Sequence, residues 1–460
     1  MTALVRPGPA QSLALIAVAV AGTGWVMTGP EDVLTRTALI SGAAITLFAA
    51  RVLPETMTAI LTFLAFIASG LIPTDLVFSG FSAGGFWLLF AGMVMGAAIS
   101  ATGLGRQIAL RLFARSGTSY RRAVVLLSVS GLLLGLLVPS AIPRVVVLVP
   151  IAAALAEAMG YRPGSRGHVG LVITAATATL MPTYAFLTAN LPVIVEAGMI
   201  EALYGETQPW GAHLVQQAPI NLVRFVAVVA IMIRFAPDDG QEDGGGGIEA
   251  PSPLNPAQSR LLALLGLAIA LWATDVWHGI APAWVALSVA ALVLWPALGV
   301  MSRDAMRSQI DLSPAFLFAG VLCVSAAAEA TGLSAALADT LVPMLKLGVG
   351  SGIGDLYALT GFSILISHLT TAPAAPVILV PLAASMSEAT GWSIETLAMI
   401  HSIGIASTIL PYQAPPLILA MALAHMPIVA LTRVCMLLVL VGLTIGLPVT
   451  YLCWGWLGMV

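Results

Sequence analysis

Apolar runs of about 20 residues recur along the whole chain, separated by short polar or charged stretches. A hydrocarbon core about 30 Å thick needs about 20 apolar helical residues to cross it. The pattern predicts crossing helices at about 11–28, 35–50, 55–72, 84–101, 167–199, 212–235, 259–276, 281–300, 312–331, 394–424 and 427–454. The period-two alternation of a membrane barrel is absent. Two further apolar stretches, about 121–160 and 352–391, are broken in the middle by proline or polar residues. Each has room for two arms of about 18 residues. They read as re-entrant helical hairpins, whose tips must be buried in protein or water. The expected fold is an all-α polytopic membrane protein of about eleven transmembrane helices plus two re-entrant hairpins. The first run, MTALVRPGPAQSLALIAVAVAGTGWVM, reads as a crossing helix, since no small-residue cleavage site follows it.

Composition sharpens this picture. Hydrophobic residues make up 59% of the 460 positions and charged residues 8%. A soluble domain carries about 25% charged residues, so a soluble fold is excluded. The net charge of −3 offers no basic patch for nucleic acid. Cys323, Cys435 and Cys453 lie in apolar segments without metal-ligand spacing and read as packing residues. No metal site and no cofactor is expected. Arg106, Arg111, Arg115, Arg121 and Arg122 precede the first hairpin, and Arg162 and Arg166 follow it. The positive-inside tendency puts both ends of that hairpin in the cytoplasm. Arg6, Arg51, Arg234, Arg303, Arg307 and Arg433 then fall inside, and Glu31, Asp32, Asp75, Glu196, Glu201 and Asp275 outside. The expected N-terminus is cytoplasmic, the C-terminus is outside, and the expected location is a bacterial inner membrane.

The chain also repeats itself. LLFAG at 88–92 matches FLFAG at 316–320, and ATGL at 101–104 matches ATGL at 330–333. EAMGY at 157–161 matches EATGW at 388–392; Pro150 pairs with Pro381 and Pro182 with Pro411. These matches keep a nearly constant spacing. Three crossings separate the copies, so the second enters the membrane from the opposite face. That is an inverted repeat, a transporter arrangement with its substrate site near the midplane. The first repeat is expected over 84–235, with its hairpin at about 121–160 and a broken helix at about 167–199. The second spans 312–460, with its hairpin at about 352–391 and a broken helix at about 394–424. Between them, PDDGQEDGGGGIEAPSPLNPAQ is acidic and rich in Gly and Pro. Residues 236–258 read as a flexible cytoplasmic linker.

The broken segments carry the chemistry. The first tip, PSAIPR at 139–144, has Pro139 and Pro143 to stop a continuous helix. The N-terminus of the second arm suits an anion. Arg144 stands there, about 20 residues from either flank and too far to snorkel if the hairpin stops midway. An unpaired intramembrane arginine costs on the order of several kcal/mol. An incoming anion is its natural partner, and a guanidinium fits carboxylate, sulfonate or phosphate in bidentate fashion. The alternatives are a fully spanning hairpin with Arg144 at the far surface, or an arginine capping neighbouring carbonyls. The second tip, SHLTTAPAAP at 367–376, offers Thr370, Thr371 and His368. His368 reads either as a hydrogen-bonded core residue or as a proton carrier, and His401 is a second proton-coupling candidate. LMPTYAFLTANLP at 180–192 and ILPYQAPPLIL at 409–419 break the helices that follow, with Thr183, Thr188, Asn190, Tyr412 and Gln413 at the breaks. Unwound backbone at that depth is tolerated where it lines a cavity.

With SAIPRVVVLVP and TAPAAPVILVP, ATGL before each hairpin, and LPYQAPPLIL on the page, the chain from about 55 to 455 resembles the divalent-anion/sodium symporter family of the ion-transporter superfamily. The resemblance implies a homodimer with an outer scaffold, here 1–83 and 259–311, and a transport domain that moves by an elevator-like motion. It implies substrates such as di- and tricarboxylates or sulfate. The family's hairpin tips read Ser-Asn-Thr and help to bind sodium and substrate. The matching positions here read Ser140-Ala141-Ile142 and Thr371-Ala372-Pro373. The family's proline pair is Pro415-Pro416 in the second copy but Phe186-Leu187 in the first. The missing oxygens argue against sodium coupling, and Arg144 supplies fixed charge where the family uses sodium.

The expected function is therefore secondary active transport of a small anion, sodium-independent, with proton coupling or exchange. The expected substrate-binding residues are Arg144, Ser140, Ala141, Thr370, Thr371, His368, Thr183, Asn190, Gln413 and Pro415. Rival readings are a sodium-coupled dicarboxylate symporter, a cation/proton exchanger or metalloid-anion exporter of the same superfamily, a channel, and a membrane-embedded enzyme. Exchangers usually need intramembrane acids, and an enzyme needs clustered catalytic groups; the apolar segments read as offering almost none of either.

Overall fold

A computed structural model describes residues 9–29, 31–113, 119–138, 140–235, 250–350, 352–424 and 426–460. Pro139 and positions 236–249 of the linker lie outside the described residues, as do Arg6 and Arg115. The described chain is helical, without strands.

In chain order the principal helices are α1 (Pro9–Met27), α2 (Val33–Ala50), α3 (Glu55–Ser69), α4 (Gly84–Thr102), α5 (Leu104–Phe113), α6 (Tyr120–Leu137), α7 (Ala141–Ala158), α8 (Arg166–Ala178), α9 (Leu191–Tyr204) and α10 (Trp210–Arg234). After the linker come α11 (Pro256–Ala273), α12 (Pro282–Leu294), α13 (Ser313–Ala330), α14 (Leu333–Leu341), α15 (Ile353–Leu369), α16 (Pro376–Thr390), α17 (Ile394–Ala406), α18 (Pro415–Ala424) and α19 (Ile428–Leu457). Among the described residues eight helices are long and apolar enough to cross a membrane. The bent pair α16 and α17, which meet at 119°, adds a ninth candidate. Several shorter apolar helices, α3, α12, α15 and α18 among them, complete the set.

Local chemistry sets the ends. Asp32 accepts the backbone N–H of Thr35 at 3.0 Å and so caps α2. That hydrogen bond holds the Asp32 carboxyl below the usual carboxylate range. Asn255 and Gln258 form a reciprocal capping box at α11, with Pro256 in the first turn. Gly391, at φ 78°, ends α16 in a left-handed conformation.

The chain forms two compact units. Unit 1 gathers the residues up to Phe86, Val195–Thr207 and Asp311–His401. In it α13 packs on α3, with Gly320 set closely against Ala59 and Phe48. Unit 2 gathers Trp87–Ile194, Gln208–Ile310 and Ser402–Val460. In it α6 and α7, the two arms of the first hairpin, both pack on α8, and α18 packs on α7. Helix α10 packs on α6 and on the turn that follows α8. A single π turn at Gly442–Gly446 interrupts α19 where Gly446 meets Ile220 of α10.

Candidate functional site

The first hairpin turns in unit 2 through extended backbone at Val138 and Ser140, and α7 starts at Ala141. Pro143 sits in the first turn, where a missing N–H costs nothing. Arg144 is the fourth residue of α7, and helical side chains lean towards the helix N-terminus. Its guanidinium is 0% exposed. Nη2 donates to the Ala189 carbonyl at 3.0 Å and to Asn190 Oδ1 at 2.8 Å. Nη1 and Nε have no hydrogen-bond partner. No carboxylate pairs with Arg144 among the described residues.

The break after α8 explains this arrangement. A 3₁₀ turn at Pro182–Ala185 and extended Phe186 interrupt the path before α9 begins at Leu191. Every side chain from Met181 to Asn190 is buried. Asn190 Nδ2 donates to Thr183 Oγ1 at 3.1 Å, and the Thr183 hydroxyl donates onward to the Leu180 carbonyl at 2.7 Å. That relay turns the Asn190 oxygen towards Arg144. Gly135 of α6 permits the approach. A Cβ there would fall 2.3 Å from Thr183 Cγ2 and 2.9 Å from Arg144 Nη1.

The same unit holds two polar features that the sequence reading missed. Arg224 of α10 is 3% exposed. Its Nη2 donates to the Ile403 carbonyl at 2.8 Å and to Ser407 Oγ at 3.1 Å, and its Nη1 donates to Asn221 Oδ1 at 3.2 Å. It thus caps the C-terminal end of α17. His213 is buried, with Nε2 3.1 Å from the Tyr184 carbonyl in the 3₁₀ turn. Trp210 Nε1 donates to Thr188 at 3.3 Å, between rings of Phe186 and Trp272.

Gln413 closes a local turn at the second break. Its Oε1 accepts the N–H groups of Ile409 and Leu410, both at 3.1 Å. Pro415 opens α18. Ser140 is half-buried and makes no side-chain cap bond, and Ala141 is buried.

Thr370, Thr371, His368 and His401 belong to unit 1. The Thr370 hydroxyl donates to the Ile366 carbonyl at 2.7 Å and finishes α15. The Thr371 carbonyl accepts the N–H groups of Ala374 and Ala375, both at 2.9 Å, which forms the tip turn. His368 is half-buried, with Nδ1 2.7 Å from the Ile364 carbonyl. His401 lies against Glu196, with Nδ1 and Oε1 3.2 Å apart. Glu196, read from sequence as an outside flank, is 2% exposed. The sequence treated 167–199 as one crossing, which put Glu196 at its end. The chain instead restarts a helix at Leu191, so Glu196 falls in the second turn of α9. A cavity of about 480 Å³ among α1, α2 and α3, reached by Trp25, Leu39 and Leu61, is lined by no charged side chain.

Broken apolar helices, helical hairpins and buried cations define a polytopic membrane transporter rather than an enzyme. The sodium:sulfate symporter transmembrane region matches residues 11–460, and the chain belongs to that family of secondary anion transporters. A membrane protein of Cupriavidus necator is 27% identical over 395 residues, covering 83% of this chain and 77% of that one. An L-tartrate/succinate antiporter of Escherichia coli is 25% identical over 397 residues, covering 82% and 79%. The solved YdaH transporter of Alcanivorax borkumensis shares the fold at a TM-score of 0.60 and 18% identity, with 98% of each chain covered. MtrF of Neisseria gonorrhoeae gives a TM-score of 0.60 at 15% identity, covering 97% and 95%.

Proposed function

We propose that this chain exchanges small dicarboxylate, sulfonate or sulfate-like anions across a bacterial inner membrane without sodium, and that Arg144 receives the cargo. The observation that carries this reading is the Arg144 guanidinium, which is fully buried, has no carboxylate and leaves two nitrogens without a partner. A buried cation in that condition is costly, and a bound anion would remove the cost through charge-assisted hydrogen bonds to Nη1 and Nε. Ser140 and the amides that open α7 add donors on the same side. Asn190 and Thr183 hold the guanidinium in place. Gln413 and Pro415 shape the second break and do not touch the anion. The antiporter among the relatives supports exchange.

The same proposal includes the inverted repeat, an elevator-like motion, a homodimer and a cytoplasmic N-terminus. The test is uptake of labelled succinate, sulfate and a sulfonate into liposomes that hold the reconstituted chain. Each anion is offered with and without internal counter-anion, and with and without sodium. Uptake that requires internal anion and ignores sodium supports the reading. Strict sodium dependence, or full uptake by Arg144→Ala, overturns it.

A further inference from the structure

We infer that α1, α2 and α3 hold one phospholipid, with an acyl chain in the cavity among them and its phosphate on Arg36, and that its headgroup is a zwitterion of the phosphatidylethanolamine kind. This site lies wholly within unit 1, and the anion-transport reading does not enter it. Arg36, Leu39, Ile40, Ala43, Ala44 and Leu47 recur at helical spacing and form one stripe along α2. All but Arg36 line the cavity, and Arg36 stands about one turn beyond it, near the start of α2. The step from Leu39 to Leu47 spans about 12 Å. The volume of about 480 Å³ then has a mean cross-section of about 40 Å². A helix about 10 Å across needs about twice that, so a helix of a second copy does not enter. An extended hydrocarbon chain does.

The walls suit hydrocarbon. Thr62 and Ser69 supply the hydroxyls of the lining. The first donates to the Thr58 carbonyl and the second to the Phe66 carbonyl, both at 2.8 Å. Neither keeps a hydrogen for a water molecule, which needs about two to four polar partners. An apolar space left empty forfeits its dispersion contacts.

The mouth suits a headgroup. Trp25 lines the cavity from the last turn of α1, and membrane proteins place such rings at headgroup level. The Arg36 guanidinium carbon lies 4.4 Å from the centre of that ring. Its Nη2 donates to the Thr28 carbonyl at 3.2 Å. Among the described residues that carbonyl is the one hydrogen-bond partner of Arg36, and no carboxylate forms an ion pair with it. Nη1 is left to donate to a phosphate oxygen.

Charge selects the headgroup. Arg36 is the one Lys or Arg between positions 9 and 50, and exposed Glu31 and Asp32 stand close to it in the chain. Its charge acts on the Asp32 carboxylate. One cation beside two anions matches a phosphate that carries an ammonium on the same headgroup. A phosphate without that ammonium would meet the two acids unbalanced.

The test is native mass spectrometry of the delipidated full chain after addition of dioleoyl phosphatidylethanolamine, dioleoyl phosphatidylglycerol or dioleoylglycerol. Gly22 lines the cavity, and a Cβ there meets nothing within 4 Å, so Gly22→Leu fills the space without a clash. The wild type should hold one phosphatidylethanolamine per chain that Gly22→Leu does not. Arg36→Gln should hold it less by about fivefold or more, and the wild type should hold dioleoylglycerol, which has no phosphate, less by the same factor. Gly42→Leu, equally open but outside the lining, is the control and should hold the lipid like the wild type. Equal retention by Gly22→Leu and the wild type overturns the site, and so does a wild type that retains no lipid. Full retention by Arg36→Gln, or of dioleoylglycerol, overturns the phosphate contact. Preference for phosphatidylglycerol overturns the headgroup. A lipid-free wild-type dimer that Gly22→Leu splits would give the groove to a second copy and overturn the proposal.

Discussion

Arg144 Nη2 and Asn190 Oδ1 meet at 2.8 Å, and this hydrogen bond joins the first hairpin to the break in the next helix without supplying a negative charge. The amide orients the guanidinium and leaves its charge uncompensated. A structural ion pair would have placed Asp or Glu at position 190.

This separates function from stability in one substitution. Arg144→Met keeps most of the side-chain volume and removes the buried charge. Replacing a buried charge by a well-packed apolar group is often neutral, or stabilising by about 1–4 kcal/mol. Against that gain, the Ala189 carbonyl and Asn190 Oδ1 lose the Nη2 donor, so the two effects offset and the melting temperature of the purified variant should stay close to that of the wild type. Losing a buried charge partner costs a bound ligand about 2–5 kcal/mol. Anion affinity should fall by a factor of about 30 or more. Melting curves with and without succinate check both halves.

Asn190→Asp tests the same bond from the other side. It would place a permanent carboxylate about where Oδ1 now stands, 2.8 Å from Nη2. The protein would then supply the counter-charge that the cargo is proposed to bring. We expect weaker anion binding, by about tenfold or more, and less stabilisation by added anion. Equilibrium binding of labelled succinate in detergent measures this. Stronger binding would mean that Arg144 is not the receiving charge.

Parts of this arrangement were legible in the sequence for physical reasons. A bilayer forces helices and penalises interior charge, so apolar run lengths and prolines marked the helix breaks before Ala141 and before Pro376. Arg144 stood out because a cation in such a run needs a reason. Glu196 did not stand out, because its place depended on where the helix restarts after Asn190. Arg224 was invisible because its partners Ile403 and Ser407 are 179 and 183 positions away in sequence. Gln413 looked like a cavity-lining group, yet its oxygen closes a turn with amides three and four residues before it. Polar side chains at a break can satisfy the backbone or face a ligand, and residue type alone does not separate the two uses.

Gly135 supports the site by having no side chain. In Gly135→Ala the new methyl would meet Thr183 Cγ2 at 2.3 Å and Cβ at 2.8 Å, and Arg144 Nη1 at 2.9 Å. The turn at Pro182–Ala185 is fully buried and cannot retreat freely. Overpacking of this kind costs about 1–3 kcal/mol. The variant should melt at a lower temperature and exchange anions more slowly. Gly42→Ala on α2, where a Cβ would meet nothing within 4 Å, is the control and should lower neither the melting temperature nor the exchange rate.

Arg224 gives the contrasting case of a buried arginine with a structural task. Its Nη2 serves the Ile403 carbonyl and Ser407 Oγ, and its Nη1 serves Asn221 Oδ1. The Ile403 carbonyl lies in the last turn of α17, where backbone acceptors lack helical partners. In Arg224→Ala the Ile403 carbonyl keeps the Ser407 hydroxyl as a donor, but Asn221 Oδ1 and Ser407 Oγ lose the guanidinium inside an apolar surround, at about 1–3 kcal/mol for each group left unsatisfied. We expect a marked fall in melting temperature, with the shift produced by saturating succinate close to the wild-type shift in any fraction that folds. Arg224→Lys should recover part of the stability, because an ammonium can still donate to Ile403 and Ser407 but lacks the planar fork. If Arg224→Lys melted like the wild type but lost the succinate shift, Arg224 would belong with Arg144 among the charges that meet the anion, and its assignment as a helix cap would be wrong.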